Sequence, residues 1–145
     1  MDPFTLTDPW RSFVSSAKSA ETRFARIVGT VEEGPLHDRL ADVDERIQQG
    51  VAACWRIAQD GYRLHKMVLQ VADSKSEAVT RMRAREAETR DKLAALVKNL
   101  DEAVARSAEL ATGQYAALDA VADDVNTVVG DLEALRQALA ELSPS

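Results

Sequence analysis

Few side chains in this sequence could do chemistry, and their spacing is poor for it: two histidines, one cysteine and 24 carboxylates in 145 residues. His37 and His65 stand too far apart for a zinc motif, and neither completes the Glu-x-x-His pair with which helical bundles hold two iron ions. His65, beside Lys66, reads as a surface or flank residue. Cys54 falls on an apolar helical stripe, where a thiol behaves as a small core residue rather than a nucleophile. Neither a Walker sequence nor Gly-x-Gly-x-x-Gly is present to cradle phosphates. Arg81, Arg83 and Arg85 lie among Glu77, Glu86 and Glu88, which describes a solvated face. The expectation is no catalytic site, no cofactor, no metal and no enzyme.

The elements that would position such residues are helices. From Leu93 to Leu142 apolar residues repeat at alternating steps of four and three for seven heptads, with only Ser107 and Gln114 polar on the seam. No proline interrupts the run, so the spacing predicts one long amphipathic helix. Its flanks carry Leu96, Ala103, Leu110 and Ala117 on one side and Ala108, Tyr115, Ala122 and Val129 on the other. A two-stranded coiled coil usually places Glu and Lys there. The apolar face is therefore broad enough to need several partner helices. Gly113 and Gly130 fall on the outer side, where each costs about 1 kcal/mol of helix propensity relative to alanine.

Two more stripes precede it. Asp8-Pro9 suits a helix start, and Trp10, Phe13, Ala17, Ala20, Phe24, Ile27 and Val31 follow in heptad spacing until Gly34-Pro35. This predicts helix one over 9–32. A second helix from residue 36 carries Leu40, Val43, Ile47, Cys54 and Ile57, with Gly50 and Gly61 on the seam itself. Antiparallel pairing across Gly34 brings Trp10 and Phe13 to the notches those glycines leave. Residues 73–92 are charge-rich, with Glu77/Arg81, Glu86/Arg90 and Glu88/Lys92 in the favourable i,i+4 order. Ser74 and Glu77 have capping-box spacing. A hairpin at Ser74 would oppose this charged segment to the apolar segment 55–72 and leave 114–142 overhanging. Reversal near Arg85 pairs apolar with apolar, but RMRAREAETR is strong helix material. The same contacts can form within one chain or by helix exchange between two.

Composition bounds the rest. The length suits a single core, and 46% hydrophobic with 29% charged residues describes a folded protein. A net charge of −6 offers no general attraction to nucleic acid, and no stretch approaches the ~20 apolar residues of a membrane span. A single cysteine and no basic-then-apolar leader fit a bacterial cytoplasm.

One short motif points elsewhere. Tyr115-Ala-Ala-Leu-Asp119 matches Y-x-x-x-D/E and resembles the export signal of type VII secretion substrates from actinobacteria. The resemblance covers five residues. It implies a helical hairpin, often working as one of a pair, exported without a cleaved signal. The family's Trp-x-Gly turn has no counterpart, since Trp10 precedes Arg-Ser and Trp55 precedes Arg-Ile. A coat of amphipathic helices on lipid or polymer is a third reading of the broad stripes.

The sequence thus predicts an all-α, elongated antiparallel helical bundle or coiled coil of three long helices. Residues 1–8 are expected as a disordered leader outside the fold, 9–142 as a single bundle domain and 143–145 as a tail. The expected function is protein–protein interaction or scaffolding, with a second copy, as a homodimer, or another helical protein as partner. Helix one is too short to cover Tyr62, Leu64, Met67, Val68, Leu69 and Val71. With Leu93, Leu96, Val97 and Leu100 at the same level, these form the expected interface.

Overall fold

The structure, a computed structural model, describes residues 2–71, 73–113 and 116–142, the side chains of 111, 112 and 142 excepted. The chain is all-helical: α1 Trp10–Gly29, α2 Pro35–Gln70, α3 Glu77–Ser107 and α4 Ala117–Leu142, with short 3-10 turns at Pro3–Thr5 and Ala108–Thr112. No strand occurs among the described residues. There are four long helices rather than three, because the stripe from Leu93 to Leu142, expected as one helix, reverses once along its length.

The stripe from Leu93 to Leu142 is two helices folded against each other. α3 ends at Ser107, and the turn after it closes on Gly113 at φ +89°, a left-handed conformation that suits glycine. Ser107 is buried, and its hydroxyl is satisfied by donating to the Val104 carbonyl. Gln114, the other polar seam residue, lies outside the described residues. The heptad pattern survives the fold-back because both helices turn their apolar stripe towards one core. Periodicity alone does not report continuity.

The second reversal lies at 71–76, not near Arg85. Ser76 caps α3, its Oγ accepting from the Val79 N–H at 3.3 Å, two residues after the expected cap at Ser74. Opposing the charged stretch to α2 works because the inward positions of α3 are Val79, Glu86, Thr89 and Leu93, all buried. The overhang disappears because α4 folds back along α2. The pairing that helix exchange would provide therefore forms within one chain.

The first helix is also shorter than expected. Asp8 does not cap it: its carboxylate accepts from Ser12 Oγ at 2.6 Å, and Pro9 holds the N-cap position with no side-chain bond. Gly34, at φ +153°, leads into Pro35 at the first position of α2.

α1 and α4 each lie against both helices of the α2–α3 hairpin and flank it. The register is set on α2. Trp10, almost fully buried, covers Gly61 so closely that a Cβ there would meet its ring at 2.4 Å. Gly50 takes Val129 of α4 instead, so closely that a Cβ added there would lie 2.7 Å from Val129 Cγ2, a contact invisible while α4 was read as part of α3. Phe13 packs edge-on to Trp10, with ring centroids 5.9 Å apart. Ion pairs join the same helices: Arg23 with Asp101 between α1 and α3, and Arg39 with Asp119 and Arg46 with Glu133 between α2 and α4.

Gly61→Ala forces a methyl into a locked indole and is expected to destabilise the fold by roughly 1–3 kcal/mol. Gly130→Ala meets open space on an exposed helix face and should instead add up to about 1 kcal/mol. Denaturant unfolding of the two variants checks this. Equal midpoints would mean that Trp10 does not seat on Gly61.

Candidate interaction surfaces at the two ends of the bundle

α2 is the longest helix, and neither α1 nor α4 reaches its end. Residues 2–8 of the expected leader are not disordered but include the 3-10 turn Pro3–Thr5, with Leu6 buried in the core. α1 starts at the level of Gly61. α4 runs parallel to α2, as the Arg39–Asp119 pair and the Gly50–Val129 contact require, and its last residue comes level with about Arg63. Residues from Tyr62 to Gln70 of α2, about 14 Å of helix, therefore project with the start of α3 as a two-helix hairpin. Between the two helices lie Val68 and Val79, both buried. Beside them the buried carboxylate of Glu86 meets His65 Nδ1 at 2.6 Å. This pair was not expected, because His65 read as a flank residue and Glu86 as the partner of Arg90. Arg90 instead approaches Asp91 at 3.8 Å, while Glu77/Arg81 and Glu88/Lys92 do come together, at 4.0 and 2.7 Å. The signal was the heptad phase of Glu86, which places it on the buried line with Val79 and Leu93.

The outside of the hairpin is apolar at its tip. Met67, Leu69 and Val71 are 47%, 61% and 38% exposed. Of the other residues expected at the interface, Leu93, Val97 and Leu100 are a correction. They are buried in the chain's own core, because the bundle's helices close over the part of α3 that had been assigned to a second copy. Val68 is likewise buried inside the hairpin. Tyr62 and Leu64 are half-buried, the Tyr62 ring lying under the Lys66 ammonium at 5.3 Å. Leu96, also half-buried, lines a shallow α3–α4 groove of about 420 Å³ with Ala95, Leu135 and Ala138. Tyr115 lies outside the described residues. Asp119 sits in the first turn of α4, paired with Arg39.

The opposite end has a different character. Residues 30–45 and 106–124 carry ten Asp and Glu against two Arg, a net −8 that exceeds the charge of the whole chain. The Arg39–Asp119 and Arg106–Asp124 pairs bring these segments together. Burial pushes the Asp44 carboxyl up, with a bond from Gln48 acting the other way. Between the α1–α2 connection and the start of α4 lies a hollow of about 740 Å³. Its described lining includes Val31, Pro35, Leu36, Leu110 and Leu118, with Glu32 and Glu33 at the connection and Arg39, paired with Asp119, the one cation among them. The projecting hairpin, residues 62–89, carries six Lys and Arg against four Asp and Glu, a net +2.

No group of three or more His, Cys, Asp or Glu able to hold a metal occurs among the described residues. Among the same residues, no helix is long and apolar enough to cross a membrane. Cys54 is buried, its Sγ 3.9 Å from the Phe13 carbonyl, and burial pushes the thiol up to about 12. Comparison with protein-family models, curated proteins and solved structures finds no match for this chain.

The Cys54 environment gives a measurable pH dependence. The unfolded thiol ionises from about 9.0 and the folded one only from about 12, so between these values the folded state binds more protons. Stability is therefore expected to fall as pH rises through that window, on the order of 1.4 kcal/mol per pH unit, relative to Cys54→Ala. Alkylation of the folded protein at pH 8 should be slow and should accelerate only on unfolding. Parallel pH–stability curves for the two proteins would contradict the burial.

Proposed function

We propose that this chain is a non-enzymatic helical scaffold, working by protein–protein contact and self-associating through the projecting end of its α2–α3 hairpin. The observation that carries the reading is the exposure of Met67, Leu69 and Val71 on a segment that neither α1 nor α4 reaches. A two-helix section lacks the helices that would bury its outer faces, and Met67 with Val71 on one flank of α2 and Leu69 on the other leave both flanks apolar, which usually marks an interface. The partner is a second copy or another helical protein. A buried, unpaired cysteine suits work in a reducing cytoplasm.

Met67→Asp with Leu69→Asp tests this without disturbing the core, since both side chains already face solvent. The unmodified protein is expected to sediment as an oligomer at micromolar concentration. The variant should be monomeric with unchanged helicity. An unmodified protein that stays monomeric to submillimolar concentration overturns the reading.

One observation favours an alternative. Asp119 stands at the start of α4, after the α2–α3 hairpin rather than in mid-helix, which is nearer the arrangement of type VII secretion substrates. On that reading Tyr115→Ala should abolish secretion from an actinobacterial host and leave thermal stability within about 0.5 kcal/mol of the parent. Secretion assays of the parent and the variant decide it, and unchanged export would remove the alternative.

A further inference from the structure

Resting on the self-association proposed above, we infer that assembly is head-to-tail: the hairpin end of one copy seats in the acidic hollow at the far end of the next. The two ends are chemically complementary and neither complements itself. Docking hairpin on hairpin would oppose two segments of net +2, and docking hollow on hollow would oppose two of net −8. Opposing unlike ends brings Lys66 and Lys75, both exposed, towards Glu32 and Glu33, also exposed. It also sets Met67 and Val71, one turn apart at the end of α2, against a hollow whose apolar lining includes Val31, Pro35 and Leu36.

The small size of the apolar tip makes the charges necessary. Three side chains bury much less than the ~800 Å² per partner of a stable interface, so hydrophobic contact alone does not hold two copies together. Charge complementarity then supplies register and selectivity, and the association becomes sensitive to salt. The interface is heterologous, because one copy offers its tip and the other its hollow. Each added copy leaves one free tip and one free hollow, so growth continues unless the rotation between copies closes a ring.

The test uses the full chain and sedimentation velocity over a range of protein and salt concentrations. The unmodified protein should grow past the dimer with concentration and dissociate at high salt. Glu32→Lys with Glu33→Lys should weaken association at least about tenfold, and so should Lys66→Glu with Lys75→Glu. An equimolar mixture of the two variants should associate again, as should the single chain carrying all four reversals. If reversing Glu32 and Glu33 changes nothing while Met67→Asp with Leu69→Asp abolishes association, the contact is tip-to-tip: the inference falls and the scaffold reading stands. Failure of the four-reversal chain to recover also overturns the inference, since charge pairing would not explain the single losses. A protein that is monomeric under all conditions removes both. If that monomer binds an amphipathic arginine–leucine peptide at the acidic end, the hollow belongs to a foreign basic helix instead.

Discussion

Two missing side chains on α2 fix the dimensions of everything else. Gly50 and Gly61 stand three turns apart on one stripe of that helix, and each admits a side chain from a different neighbour, Val129 from α4 and Trp10 from α1. A large residue at either position would push its partner helix away from the axis. With Trp10 pinned on Gly61, α1 cannot extend further along α2 without losing the burial of an indole, worth about 3–5 kcal/mol on truncation. With Val129 pinned on Gly50, α4 runs out at the level of Arg63. The projecting hairpin is the remainder after these two registers are subtracted from the 36 residues of α2.

The polar contacts refine this register without creating it. The pairs of Arg23, Arg39 and Arg46 with acidic residues on α3 and α4 are partly or largely exposed, and such pairs contribute about 0–1 kcal/mol each. Arg39–Asp119 repeats the α2–α4 offset of Gly50–Val129, while Arg46 reaches further along α4 to Glu133. The pair formed by His65 and Glu86 is different, because the carboxylate is buried and would be costly without a partner. It sits where the hairpin leaves the cover of α1 and α4, and it ties the two strands of the projection together at its base.

Helical content, the Trp10–Gly61 contact and the burial of Cys54 were legible in the sequence because each depends on residue type and local spacing. The number of helices was not. An amphipathic stripe with a steady period is satisfied equally by a helix that continues and by two that fold back onto one core. Gly113 carried the information that decides between them, yet its outward phase made it look like a tolerated defect. The interface expectation failed for the same reason. Leu93, Val97 and Leu100 looked uncovered only while α4 was counted as an extension of α3. Met67, Leu69 and Val71 remain outside because no change in the path of α4 brings it to them.

The two reversals differ in how firmly the local sequence specifies them. The one after α3 closes on a glycine whose left-handed conformation a larger residue would strain. The one between α2 and α3, residues 71–76, contains neither glycine nor proline, and its local determinant is a serine cap worth about 1 kcal/mol. It must therefore be held by packing, and the buried residues nearest to it are few: Val68, Val79 and the His65–Glu86 pair. Few buried contacts and weak turn chemistry place this end of the molecule at the low edge of its stability range. A partner seated on Met67, Leu69 and Val71 would add contacts where the chain supplies fewest of its own. On the proposed self-association, seating a partner there and ordering the hairpin would be one process, because the surface with the fewest contacts of its own would be the one most stabilised by being covered.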